Sequence, residues 1–549
     1  MFSGRLIVAL FALALAVSCR AQGGDSGSQT NWLKHCEESS ECGGLTCNCG
    51  VCTTLCSESR ECAELSGGSC LDPSDRRAVA ACDGARPLAG MCLPLCTDGA
   101  CPEGSACLAG VCRPSSPATV TVSIEPNTHF QTLIGFGASL AHDEDLIVGH
   151  PDKERLFDMM FAESGLDAIR IRNRYELGNA AQLATAAEIV GAASARLEHP
   201  PLLFLSSGTP PAYLKANGSR GCVAWDANCT LLRSADGDFD YSGFSKHWRA
   251  SLESYENVGI HPDFVSIQSN PDWLPPEAAS EACHFLPREG TESVTPPGGS
   301  ALEVRFAGYA EAMAAVAAEV SSLPAQYSFT GPEVGRPAAL EGYEEALSNV
   351  DSLAYHLYGI DPSMVDGTAL ETVSRLSSQS RKPSLQTAMQ ADGIGTAILA
   401  HYALVVANSS AYVQQQFVAG TFDDTSTALV GANSAVMRKL PVYDALFHYA
   451  RFTDPGWIRV AVTTEPPGIL SSAWLAPDSR ALTVILVNPT GTAVDVGLAG
   501  PGSMMTAGAK VVRTVFDGVE RSAELGLLAE AQTVRLPARA IVTIAASRL

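Results

Sequence analysis

What the chain lacks limits its function first. Lysine and arginine number 36 against 59 aspartates and glutamates, giving a net charge of −23 at pH 7. The basic residues are not clustered, and a nucleic-acid binder needs them clustered to displace counterions from phosphates. The balance argues against nucleic acid as a partner, and the acidic surface reads first as a solvating one. Long apolar runs are also missing: beyond residue 18 none reaches the roughly 20 residues that a membrane helix needs. Cysteine is rare after position 113, where only Cys222, Cys229 and Cys283 remain.

The amino terminus carries a targeting signal. Residues 1–18 have a positive start at Arg5, an apolar stretch over 6–17, and small residues Ala16 and Ser18 before Cys19. That is the pattern of an export signal peptide, too short to span a bilayer. Ala16-Val17-Ser18-Cys19 also resembles a bacterial lipobox, in which Cys19 is lipidated after cleavage. A plain secretory signal cut at the same place is the alternative. With the anchor, 19–35 is a tether, flexible over its Gly-, Ser- and Gln-rich part at 20–30. Any membrane contact is then through that lipid alone. Export to the cell surface or medium places the chain in an oxidising compartment.

Residues 36–113 hold fourteen cysteines with Gly, Ser and Pro between them and little periodic hydrophobicity. This is the composition of a disulfide scaffold. Cys52-Thr53-Thr54-Leu55-Cys56 with Cys62 and Cys70 is echoed by Cys92-Leu93-Pro94-Leu95-Cys96 with Cys101 and Cys107, so two related modules are expected. An even count permits seven bridges and leaves their connectivity open. Cys49 and Cys52 have the spacing of zinc ligands, but no histidine partner accompanies them, and neither a metal nor a cofactor is expected. Spacing or protein contact is the usual role of such a region.

After a Pro- and Ser-containing linker at 114–118 the pattern changes. Short β-rich runs alternate with longer amphipathic segments, the signature of a parallel α/β architecture. Strands are expected at 134–140, 168–172, 202–206, 264–268, 327–331, 353–358, 384–387 and 411–415, and eight fit a closed (β/α)8 barrel over 134–445. Phe244, Trp248, Leu252 and Tyr255 share one helical face, and Phe306, Tyr309, Met313, Val316 and Val320 share another. After Tyr449 strands return at 457–462, 482–488, 511–516 and 541–545. They predict a β-sandwich side domain over 446–549, joined by 119–133. Cys222 and Cys229 could close a loop around Trp225, leaving Cys283 unpaired or buried.

One stretch organises the barrel: Ser266-Ile267-Gln268-Ser269-Asn270-Pro271-Asp272-Trp273, a buried strand breaking at a proline into polar and acidic residues. It resembles the Ser-Ile-Gln-Asn-Glu-Pro-Asp segment of glycoside hydrolase family 30, the retaining β-glycosidases that include glucosylceramidases and xylanases. Further segments resemble that family in order. They are Phe130-Gln131-Thr132-Leu133-Ile134-Gly135-Phe136-Gly137, Gly165-Leu166-Asp167-Ala168-Ile169-Arg170-Ile171-Arg172 and Ser206-Ser207-Gly208-Thr209-Pro210-Pro211. Gly331-Pro332-Glu333, His356-Leu357-Tyr358-Gly359, Lys382-Pro383 and the run from Arg451 to Arg459 follow. The resemblance implies a TIM barrel with a β-sandwich side domain and a site at the carboxyl ends of the barrel strands.

Retaining hydrolysis needs two carboxyl groups about 5 to 5.5 Å apart, one protonating the leaving oxygen and one attacking the sugar. By the resemblance the acid/base glutamate falls on Asn270 and the nucleophile on Ala388. An amide does not protonate a leaving group and a methyl does not attack an anomeric carbon. Gly208 stands where the family has Trp, and Gln414-Gln415-Gln416 where strand eight ends in an aromatic. Arg170, Asp272, Trp273, Glu333, His356 and Tyr358 persist near the same mouth. Arg170 reads as a buried ion pair or a ligand contact, and Asp272 and Trp273 as loop-shaping or ligand-contacting. Glu333 reads as an anchor for Arg or His or as a surviving catalytic carboxylate, and His356 as a core histidine or a base. Three functions follow: a pseudoenzyme that binds a β-linked glycan, an active hydrolase with relocated carboxylates Asp272 and Glu333, or a surface adhesion or scaffold protein. Oligomeric state is not readable.

Overall fold

The computed structural model describes residues 31–547 except 37, 66, 83–85, 97–100, 102–104, 109, 115–117, 141–142, 177–179, 276–280, 366, 424–426, 507 and 529–532. The export signal, Cys19 and the tether up to residue 30 lie outside the described residues. The chain forms two compact units, Met1–Pro117 and Ala118–Leu549.

In the first unit the buried apolar core is small, centred on Leu33, Val51, Leu71, Met91, Leu93 and Val111. A core of that size needs covalent staples. Among the described residues these are Cys36–Cys47, Cys42–Cys52, Cys49–Cys82, Cys56–Cys70, Cys62–Cys92 and Cys101–Cys112. Cys49 and Cys52, spaced like metal ligands, enter different bridges. Cys52 and Cys92 each close the interleaved pair before them rather than opening the next, so the bonded units are offset from the repeat read in the sequence. Spacing shows repetition, whereas pairing depends on which cysteines the short strands bring side by side.

The second unit is built on eight parallel strands closed into a barrel. They are β1 (Gly135–Ser139), β2 (Ala168–Arg172), β3 (Leu202–Ser206), β4 (Phe264–Ser266), β5 (Ser328–Val334), β6 (Ser352–His356), β7 (Ser384–Ala388) and β8 (Ala411–Gln414). The amino-terminal half of the lumen is plugged by Ala168, Phe204, Leu385, Ala411 and Val413, with Phe204 stacked on Phe264 at 4.7 Å. Strand periodicity then places Arg170 and Arg172 on the same inner face as Ala168, one and two layers nearer the carboxyl end. The lumen changes from apolar to polar along its axis, and the polar end is the mouth.

Helices α1 (Ala180–Ser194), α2 (Tyr241–Asn257), α3 (Tyr309–Val320), α4 (Thr368–Ser380), α5 (Gly393–Val405) and α6 (Pro441–Ala450) surround the barrel. Asp240 caps α2 by accepting the Gly243 N–H, and Phe244, Trp248, Leu252 and Tyr255 are its buried face. The second predicted helical face is shorter than its periodicity suggested. Phe306 ends a hairpin strand (Leu302–Phe306 paired with Gly290–Val294), and α3 begins only at Tyr309. Between β5 and β6 a 3-10 segment, Pro337–Asn349, replaces an α-helix.

Ala118–Thr132 joins the carboxy-terminal strands in one nine-stranded sheet that curls over its own core. Its strand Ala481–Asn488 is buried over nearly its whole length. Val484 and Leu486 face the sheet's own core, whereas Ile485 and Val487 face the barrel core, which explains an unbroken apolar run in place of alternation. His448 of α6 is fully buried between Thr543 and Thr514, at 2.9 Å from each hydroxyl, and ties the barrel to this sheet.

Candidate active site

Two β-bulges shape the mouth. On β5 the register shifts between Pro332 and Val334, and Glu333 takes φ +50°, which turns its carboxylate away from the regular alternation. On β7 the shift pairs His356 with Ala388, so the methyl of Ala388 shares a face with the imidazole. Ala388 is fully buried there. Asn270, four residues beyond the end of β4, also takes a left-handed conformation at φ +50°, which asparagine tolerates better than most residues.

These elements converge on a closed polar network. Arg170 donates from Nε to Glu333 Oε1 at 3.2 Å and from Nη2 to Glu333 Oε2 at 3.3 Å. The same Nη2 reaches Ser206 Oγ at 2.9 Å and Ser269 Oγ at 3.1 Å, and Ser206 donates its hydroxyl to Glu333. Asn270 donates its backbone N–H to the Glu333 carbonyl at 2.9 Å, and its side-chain oxygen lies 2.8 Å from His356 Nδ1. Because an amide oxygen only accepts, Nδ1 is the nitrogen that donates to Asn270, and Nε2 lies on the Glu333 side at 3.6 Å from Oε1. Asp272 accepts the Gly335 N–H at 2.8 Å. A Cβ at position 335 would lie 3.2 Å from the Asn270 side-chain oxygen, so the missing side chain lets this loop seat close.

The electrostatics follow from this packing. Burial pushes the Glu333 carboxyl up, but Arg170, His356 and Ser206 outweigh burial and hold it well below the usual carboxylate range. Burial lowers the basicity of His356, with Glu333 opposing in part. Tyr358, edge-on to His356 at 5.1 Å, has its phenol pushed up to about 12 by burial first, with Arg170 opposing. Glu333 is thus an ionised, saturated acceptor rather than a proton donor.

The structure gathers Arg170, Asn270, Glu333 and His356 into direct contact, with Tyr358 against His356. Asp272 serves the neighbouring loop, and Trp273 stands outward with 39% of its surface exposed. Gly208 and Gln414-Gln415-Gln416, the positions at which the resemblance implied missing aromatics, lie among polar groups. The nearest atom to a Cβ built on Gly208 is Glu281 Oε2, at 3.6 Å. Glu281 belongs to a charged lattice: Arg172 Nη2 contacts it at 2.5 Å, Arg220 Nε at 3.0 Å, and Arg220 Nη1 reaches Glu176 at 2.5 Å. At β8, Gln414 donates to the Thr427 carbonyl at 2.7 Å and Gln416 to Asp143.

Sequence reasoning missed this lattice. Arg172 carried a usable signal, because it alternates with Arg170 on β2 and therefore faces the same lumen. Glu281 and Arg220 carried none, since each lies in a long loop with no period.

No protein-family model matches this chain, and no curated protein matches it. Solved structures do. A glycoside hydrolase family 30 subfamily 8 xylanase from Clostridium acetobutylicum is 18% identical, covering 78% of this chain and 99% of its own, with a TM-score of 0.60. The catalytic domain of a family 30 xylanase from Talaromyces cellulolyticus is 16% identical, covering 78% of this chain and 100% of its own, with a TM-score of 0.59. A conserved exported protein from Bacteroides fragilis is 15% identical, covering 77% and 100%, with a TM-score of 0.61. At such identities the likeness establishes the fold: this chain has the barrel and side domain of family 30 structures.

Proposed function

We propose that this chain is a glycan-binding relative of the barrel hydrolases that holds a β-linked glycan at its mouth without cleaving it. One observation carries the reading. Where the resemblance puts the two glutamates of a retaining enzyme stand Asn270 and Ala388, and the neighbouring carboxylate Glu333 is committed to Arg170. The loss of a positioned acid costs ~10² to 10⁴ in rate, and the loss of the nucleophile closes the covalent route. What remains suits binding: the Asn270 amide, Tyr358 and the Asp272 carboxylate offer hydrogen-bonding groups to hydroxyls around a fixed charge pair.

A hydrolase with relocated groups would use Asp272 and Glu333 across a water, one of them as a protonated acid. The ionised state of Glu333 weighs against it in that role. The disulfides of both units suit an oxidising compartment, which supports the reading of residues 1–18 as an export signal; the anchor at Cys19 is proposed on the Ala16-Val17-Ser18-Cys19 motif alone. Among the described residues no helix is long and apolar enough to cross a membrane.

The test is affinity electrophoresis of the purified protein in gels containing soluble β-1,4-xylan or β-1,6-glucan, run beside a reducing-end assay on the same polymers. Retardation without new reducing ends is expected. Turnover that disappears in Asp272→Asn, with circular dichroism unchanged, would establish the hydrolase instead.

A further inference from the structure

As a rule the inward arginines of this chain meet carboxylates: Arg170, Arg172, Arg174 and Arg513 face Glu333, Glu281, Glu144 and Glu520. Arg459 is buried more deeply than any of these four, at 6% exposure, and has no carboxylate partner among the described residues. It lies on the strand Ile458–Glu465 of the curled sheet. The residues around it come from both layers: Gln131 stands in the sheet strand that leads into β1, Asn408 precedes β8, and His401 is on α5. The place is the seam between sheet and barrel, at the amino end of the barrel strands and away from the mouth.

The partners Arg459 does have are neutral. Nε donates to Gln131 Oε1 at 2.8 Å and Nη2 to Asn408 Oδ1 at 3.0 Å. The Gln131 amide is fixed in that orientation, because its Nε2 donates to the carbonyls of Leu404 at 2.6 Å and Ser409 at 3.1 Å. The centre of the Phe130 ring lies 3.9 Å from the guanidinium carbon. Nη1 has no acceptor among the described residues. A second basic side chain is within electrostatic reach. His401 is 8% exposed and has no hydrogen-bond partner among the described residues, and Tyr402 meets its ring edge-on at 5.7 Å. Burial first, and then the charge of Arg459, push the imidazole pKa down to about 3, so His401 is neutral at pH 7 and carries one ring N–H. Burial lowers Arg459 to about 10, which leaves its guanidinium charged.

Amide dipoles and a ring quadrupole lower the cost of a buried cation, but they supply no counter-charge. What the site lacks is a negative charge that accepts N–H bonds. The charge count sets its valence: with His401 neutral, one negative charge balances Arg459, and a dianion would leave an excess in a poorly solvated seam. Burial sets its size, since side chains this enclosed admit an ion of few atoms. We infer that the seam between α5 and the curled sheet binds a small monovalent anion of about the size of chloride, held by Arg459 Nη1 with the His401 ring beside it. The ion then ties the sheet, through Arg459 and Gln131, to the barrel, through Asn408 and His401. This inference is independent of the glycan-binding reading.

The test is thermal melting of the full-length protein at constant ionic strength, with sodium gluconate replaced stepwise by sodium chloride, beside the variant Arg459→Gln. An ion bound by the folded state alone stabilises it by mass action, so wild type should melt about 2 °C or more higher as chloride rises, with a response that saturates. Arg459→Gln should lose that response. A wild-type melt indifferent to chloride, or a saturating response that Arg459→Gln keeps, would overturn the site. Crystals of wild type grown in sodium bromide give a second reading that needs no variant to fold. An anomalous-scattering peak beside Arg459 Nη1 is expected, and a seam without one refutes the assignment.

Discussion

Arg170 and Glu333 face each other across the barrel lumen in a two-point contact, Nε to Oε1 at 3.2 Å and Nη2 to Oε2 at 3.3 Å, with 12% and 1% of their side-chain surfaces exposed. A guanidinium inside a barrel requires a counter-charge. With a methyl group at Ala388, Glu333 provides it from the β5 bulge. Glu333→Gln or Arg170→Met alone should cost about 3 to 5 kcal/mol, because each leaves one buried charge unpaired. Arg170→Met with Glu333→Leu should recover most of that loss. Urea denaturation of the two single variants and the double variant measures it, and additive losses would show that the pair is not coupled.

Restoring carboxylates tests whether chemistry was removed at two positions only. Asn270→Glu with Ala388→Glu should hydrolyse an aryl β-glycoside at least ~10² faster than either single variant. The gain should come with lower stability. Overpacking the buried Ala388 site costs about 1 to 3 kcal/mol, and replacing Asn at a left-handed φ about 1 kcal/mol more. Initial rates and thermal melts on the same preparations check both parts.

Gly208→Trp should not rebuild a sugar wall. A side chain there grows toward Glu281 Oε2, 3.6 Å from the Cβ position, and must displace it from Arg172 and Arg220. A loss of about 1 to 3 kcal/mol is expected. Gly208→Trp combined with Glu281→Ala should be no more stable than Gly208→Trp alone, since two arginines then lose their shared carboxylate.

His448 predicts an acid sensitivity. Burial drives its pKa down to about 3, whereas an unfolded histidine titrates near 6.5. Below about 6.5 the unfolded chain therefore binds a proton that the folded chain refuses. The stabilising contribution is complete above that pH and is lost progressively as pH falls toward 3. The difference in unfolding free energy between wild type and His448→Gln should shrink by an amount on the order of a few kcal/mol between pH 7 and pH 4. A pH-independent difference would assign the neutral state of His448 to something other than burial.

The sequence alone carried the architecture because its signals are local and repeated. Period-two runs such as Ala168-Ile169-Arg170-Ile171-Arg172 and helical faces such as Phe244, Trp248, Leu252 and Tyr255 state their own secondary structure, and eight such alternations leave little choice but closure. The same reading put Asn270 and Ala388 at strand ends. It also grouped cysteines by density and left their pairing open, because pairing is a contact in space. Tertiary structure alone decided what the surviving charges do. Glu333 faces Arg170 because a bulge breaks the alternation of β5, and bulges leave no reliable mark in composition. Glu281 fills the space beside Gly208 because a loop some seventy residues farther along the chain folds back to it. Chain order gives the face and depth of a strand residue, but the partner of a charge depends on which loops return to the same mouth.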